Sequence, residues 1–256
     1  MAASTQTLDF NRSRDWKTAF SAMGKLFADP NDTPQVFRIM HALNAGITAK
    51  NYQRLLSTAE GGRMAYARVE LIDRLTDRDW LAQFAPGTVG AAYRSFLDKT
   101  GYSADGLAKV GNETHGITGD MQHPYAWFGR RERDIHDIWH VLTGYQADDP
   151  LGELCLVAFS YAQTKGLGWG FIALMGALKN LREPLGRLVA RAVWEGYRRG
   201  QRTSWLPGED YEALFAEPLD AARARLNIAE AMCYARAKQA MASAVAPTSA
   251  IAIAAE

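Results

Sequence analysis

The amino-acid sequence predicts an all-α protein, and three observations predict it. Apolar residues recur at helical spacing through most of the 256 residues, caps and breakers bound these stretches, and alternating runs rich in Val, Ile and Thr are almost absent. With 48% hydrophobic and 22% charged residues, such a chain forms one core that buries roughly 70% of its unfolded surface. We expect a single-domain multi-helix bundle over residues 1–240, followed at 241–256 by a disordered low-complexity tail, MASAVAPTSAIAIAAE.

The elements follow in order. Thr33 and Pro34 supply an N-cap and a first-turn proline that open PQVFRIMHALN, Pro34 to Asn44, and Gly46 closes it. The same periodicity places helices at Ala49 to Glu60, Arg63 to Arg74 and Thr88 to Lys99. Gly101 to Gly119 is the least regular stretch. Beyond it the pattern predicts Pro124 to Gly144, Gly152 to Asn180, Pro184 to Gly200 and Asn227 to Ser243.

Charge and cysteine usage exclude several functions. The 29 basic and 28 acidic residues leave a net charge of +1, which gives no general field for a polyanion, so nucleic acid is not expected as a partner. Cys155 and Cys233 are too few for a disulfide scaffold and read as buried thiols in a reducing compartment. The N-terminus lacks the apolar run of a secretory signal, and no stretch reaches transmembrane length. The expected location is cytoplasmic, with any membrane contact peripheral.

The chemistry concentrates in RRERDIHDIWHVLTGYQADDPLGE, Arg130 to Glu153. With His136 at 0° on an ideal wheel, His140 falls at roughly 40° and Asp137 at roughly 100°, while Ile135, Ile138, Trp139 and Leu142 occupy the opposite side. Arg133 lies one turn earlier on the polar face and Gly144 one turn later. Two imidazoles four residues apart can share a divalent ion, and carboxylates supply the balancing charge. Zinc suits the set, and Fe2+ or Mn2+ is also compatible. An amphipathic helix whose polar face only meets water accounts for the same residues.

His136-Asp137-Ile138-Trp139-His140 followed by Leu151-Gly152-Glu153 resembles the HDxxH…E signature of the ubiquinone (coenzyme Q) biosynthesis protein family of the Coq4 type. DPNDTPQVFRIMHAL, FAPGTVGAAYRSFLDKTGYSADGL, LGELCLVAFSYAQT and WEGYRRGQRTSWLPGEDYEALFAEPLDAARARLNI resemble the family pattern in the same order, over about Ala19 to Ile228. The connection before Glu153 is one residue longer than the family's usual spacing, which makes Asp148 or Asp149 the alternative ligand.

The resemblance implies one divalent metal, usually taken as Zn2+, held by His136, Asp137, His140 and Glu153. It implies action on a prenylated aromatic quinone precursor: metal-dependent C1 decarboxylation of a polyprenyl-hydroxybenzoate, with hydroxylation of that carbon attributed to some members. A lyase of this kind would use Asp137 and Arg133 as catalytic residues. The alternative is a noncatalytic lipid-binding scaffold that organises other ubiquinone-biosynthesis proteins. Either would sit peripherally on the inner face of a membrane, with homodimer formation left open. A zinc hydrolase fits less well, because HDxxH lacks the glutamate base of HExxH. A prenyl tail requires an apolar groove, for which Gly166 to Leu178, with Trp169, Phe171 and Met175, is the candidate; a buried core helix needs no ligand and is the plainer reading of that stretch. His41 reads as a core or boundary residue, and His115 and His123 as surface residues. Tyr145, Trp194, Arg198 and Arg199 stand out without an assigned role.

Overall fold

In a computed structural model the chain is described for residues 13–106, 108–110 and 123–245, and every regular element among them is helical. The helices are α1 (Trp16–Ala28), α2 (Thr33–Leu43), α3 (Ile47–Leu56), α4 (Ala59–Ala67), α5 (Leu71–Thr76), α6 (Arg78–Ala82) and α7 (Val89–Thr100). After the interruption come α8 (Pro124–Asp134), α9 (His136–Thr143), α10 (Pro150–Thr164), α11 (Leu167–Asn180), α12 (Gly186–Arg202), α13 (Tyr211–Leu214), α14 (Leu219–Arg225) and α15 (Met232–Val245).

The expected all-α class holds, with boundaries corrected by backbone punctuation. Ala49 to Arg74 forms three helices, because Thr58 caps α4 and Arg68 leaves it in the left-handed region at φ 47°. Pro124 to Gly144 divides at Ile135 into α8 and α9. Gly152 to Asn180 divides at Lys165, which ends α10 at φ 60°. The last helix starts at Met232 and not Asn227, whose own φ is 56°. Most of Gly101 to Gly119, His115 and residues 246–256 of the expected tail lie outside the described residues.

α10 runs through the centre. Its apolar residues face inward along almost the whole length, including Cys155, Leu156 and Phe159. α12 lies directly against it because Gly196 and Gly200 present no side chain: a Cβ there would stand 2.5 Å from the Cys155 carbonyl oxygen and 2.6 Å from that of Phe159. α11 packs on α10 in the same manner, with Gly170 against Tyr161 and Gly176 against Leu154, while Gly168 receives Met40 of α2. The glycines proposed for a lipid groove are thus taken up by helix packing, and Phe171 is buried in the core.

A second, smaller apolar cluster joins α3, α4 and α8 through Tyr52, Leu55, Met64, Ala65, Trp127 and Phe128. Asn51 stitches this side to the centre, its amide donating to Glu132 Oε1 at 3.0 Å and to the Thr164 carbonyl at 3.0 Å. Burial pushes the Glu132 carboxyl up to about 7, against the smaller opposing effect of the Asn51 hydrogen bond. A native carboxyl raised in this way contributes stability that is full below its ordinary range and lost as pH rises through about 7. Glu132→Gln should abolish that part of the decline, read by urea unfolding between about pH 5 and pH 8. An unchanged pH slope would contradict it.

Candidate metal centre

α9 carries both histidines, and its ends are firmly held. Gly144 terminates it with φ 78°, a conformation that costs glycine nothing, and its N–H returns to the His140 carbonyl at 2.9 Å. The last carbonyls of the helix receive cations: Arg223 donates to Val141 at 3.0 Å and to Leu142 at 2.9 Å, and Arg199 donates to Thr143 at 2.9 Å. Guanidinium groups here satisfy orphan acceptors and oppose the negative end of the helix dipole. Below, the Trp139 indole donates to the Tyr211 hydroxyl at 2.6 Å. Arg199 and Arg223 are supports that sequence reasoning did not identify; an arginine that caps a distant helix has no local spacing to betray it.

The chain then turns back sharply. Gly152 allows this, since a Cβ there would lie 2.1 Å from the Gln146 carbonyl oxygen. Asp149 caps α10 by accepting from the Leu151 and Gly152 N–H groups, and it also receives the Tyr234 hydroxyl at 2.9 Å and pairs with Lys238 at 3.2 Å. Asp148 is exposed. Neither aspartate takes the ligand position. Glu153, in the first turn of α10, lies with Oε1 3.2 Å from His140 Nε2.

His136, His140 and Glu153 each offer one donor atom, and these atoms lie within 4.8 Å of one another. His140 is 2% exposed, and its Nδ1 sits 2.8 Å from the Tyr145 carbonyl oxygen. A carbonyl only accepts, so Nδ1 carries a proton, and in the neutral ring Nε2 then presents a lone pair. That Nε2 makes no hydrogen bond although the Glu153 carboxylate is close. With His140 neutral, two acceptors face each other across a short gap, the imidazole buried and the carboxylate partly exposed, an arrangement that a cation would relieve. The donor set of two imidazole nitrogens and a carboxylate therefore fits a divalent ion.

His136 stands against Trp169, with near-parallel rings 5.9 Å apart, and His140 against Phe96 at 6.0 Å. Burial disfavours the charged form of His136, but a hydrogen bond to Asp137 and the charges of Glu153 and Asp137 together outweigh it and raise its pKa. Asp137 stands outside the three-atom group. Its Oδ1 lies 3.4 Å from His136 Nδ1, where a carboxylate orients an imidazole for ligation from the other nitrogen. Asp137→Asn should accordingly lower metal affinity by about 10- to 100-fold with the fold intact. Titration with a competing chelator, alongside circular dichroism, checks this.

Arg133 is engaged with Asp134, Nε at 2.8 Å and Nη2 at 2.7 Å from its Oδ1. Burial raises the Asp134 carboxyl to about 6, opposed by Arg133. Away from the centre, His41 is exposed on α2, not in the core, and His123 caps α8 by accepting from the Tyr125 N–H. Cys155 is buried and Cys233 partly so, and both are free. A cleft of about 280 Å³ opens beside His140, walled by Ala92, Phe96, Val141, Ala147 and Leu219.

Comparison with known proteins agrees with this architecture. The crystal structure of a candidate ubiquinone biosynthesis protein from Nostoc punctiforme superposes with a TM-score of 0.61 at 20% identity, over 84% of this chain and 99% of that one, a likeness of fold. The mitochondrial ubiquinone biosynthesis protein COQ4 homolog of Nematostella vectensis is 28% identical over 158 residues, 60% of this chain and 72% of that protein. Its counterpart in Yarrowia lipolytica is 29% identical over 153 residues, 57% of this chain and 54% of that protein. That of Bos taurus is 28% identical over 172 residues, 67% and 62% respectively. The chain thus spans little more than half the length of the Yarrowia relative. The family model described as coenzyme Q (ubiquinone) biosynthesis protein Coq4 matches residues 8–232, and the chain belongs to that family.

Proposed function

We propose that the chain is a metal-dependent carboxy-lyase of ubiquinone synthesis that removes the C1 carboxylate from a polyprenylated 4-hydroxybenzoate. The observation that carries the reading is the buried, unbonded Nε2 of His140 facing the Glu153 carboxylate at 3.2 Å. Family membership gives the pathway.

A ring with a hydroxyl para to its carboxylate loses carbon dioxide after a proton is added at C1. The dienone-like intermediate becomes aromatic again as the C1–carboxyl bond breaks and its electron pair returns to the ring. A divalent ion held by His136, His140 and Glu153 would bind and polarise the carboxylate. Zn2+ fits this role, as does Fe2+ or Mn2+. Arg133, fixed by Asp134, would hold the second carboxylate oxygen by a charge-assisted bond through its remaining Nη1. Asp137, already hydrogen-bonded to His136, would move the proton. The cleft beside His140, its apolar wall formed by α7 and the turn after α9, would take the first units of the prenyl chain.

No helix among the described residues is long and apolar enough to cross a membrane, so the protein would meet its lipid substrate peripherally, on the inner face. Turnover of a synthetic substrate labelled at the C1 carboxyl tests the reading. The metal-loaded protein should release labelled carbon dioxide and the Glu153→Gln variant should not. Absence of release from the metal-loaded native protein would overturn the assignment and leave the scaffold alternative.

A further inference from the structure

The outer face of α12 carries a feature that the metal centre does not use. Arg187, Arg191, Trp194, Arg198 and Arg202 fall within an arc of roughly 80° on an ideal helix and extend over about 22 Å. All five are exposed, Trp194 at 61%. None of the four arginines enters an ion pair among the described residues. The helix's own acid, Glu195, points elsewhere and accepts from the Cys233 and Tyr234 N–H groups at the start of α15. In a chain with a net charge of only +1, this is a local concentration of cations.

Behind the stripe, Trp194 lies 5.3 Å from Tyr197, which stacks on Tyr161 at 5.8 Å. The adjacent α11, packed against α10 and α12, has Leu174 and Leu178 exposed, as is Leu181 just past its end. Arginines alone suit any polyanion. Arginines around an amphipathic aromatic suit a surface that is anionic outside and apolar a few ångströms in.

We propose that this face of α12 docks on the headgroup region of an anionic phospholipid bilayer, with Trp194 inserted among the lipids and the four arginines on phosphates. The proposal rests on the reading that the substrate is carried in a bilayer, and it supplies that reading with a contact surface.

The test uses the full chain and vesicles of phosphatidylcholine alone or mixed with phosphatidylglycerol. The native protein should sediment with the anionic vesicles and be released by salt. The double variant Arg187→Glu/Arg191→Glu should partition at least about 30-fold less, since each cation near such a surface contributes about a factor of five. Trp194→Ala should weaken binding at every salt concentration, and Trp194→Phe less. All variants should keep native metal content and turnover of a short-chain, water-soluble substrate analogue. Equal binding to neutral and anionic vesicles, or vesicle binding indifferent to the substitutions, would overturn the proposal. So would selective capture of duplex DNA over anionic vesicles, or a stripe that only governs association with a second copy of the chain. Failure of turnover in the native protein sinks the lyase reading and leaves the docking result standing.

Discussion

His140→Ala should empty the metal centre. The native imidazole is buried, fixed by the Tyr145 carbonyl through Nδ1, and supplies the Nε2 lone pair beside Glu153. Loss of a partner that merely orients a ligand costs about 10- to 100-fold in affinity, so loss of the ligand itself should cost more than about 100-fold. His136→Ala should act in the same sense. Neither change breaks α9, because alanine favours a helix and the caps at Gly144, Arg199 and Arg223 remain. Elemental analysis at native circular dichroism measures the outcome. Retained stoichiometric metal in a folded variant would show that the histidines are not ligands.

The second large effect is expected at Glu153. Glu153→Gln keeps the size of the side chain and loses the charge that offsets a dication, so metal affinity and cellular function should both fall by more than about 100-fold. Asp148→Asn should be silent, since that carboxylate is exposed. Asp149 is not a solvated loop residue, because it caps α10 and binds Tyr234 and Lys238. Asp149→Ala should lower stability by about 1 kcal/mol while leaving the metal in place. An Asp149 variant that loses metal beside an active Glu153→Gln would mean that the longer connection has moved the ligand.

How much of this the sequence disclosed depended on whether the cause was local. The spacing of His136 and His140 is a property of one helix and was legible without any fold. Asp137 shared their helix but stood about 100° away, and the structure turns it to His136, not to the common point. Glu153 was legible as a first-turn carboxylate able to point back at the histidine pair, but its actual approach depends on Gly144, Gly152 and the Asp149 cap acting together. The breaks at Arg68 and Lys165 escaped because a non-glycine residue in the left-handed region leaves no compositional mark. α1 was missed although Trp16, Phe20, Met23 and Phe27 recur at helical spacing in its sequence. The glycines of α11 were conspicuous, yet only the packing shows that Met40, Tyr161 and Leu154 fill the space they leave.

X-ray absorption on the metal-reconstituted protein tests the centre most directly. The geometry predicts light-atom ligands at about 2.0–2.2 Å, with the outer-shell scattering of two imidazoles and no sulfur. Glu153→Gln should lose occupancy without gaining another ligand type. A sulfur shell at about 2.3 Å, or the signature of a single imidazole, would contradict a centre built from His136, His140 and Glu153.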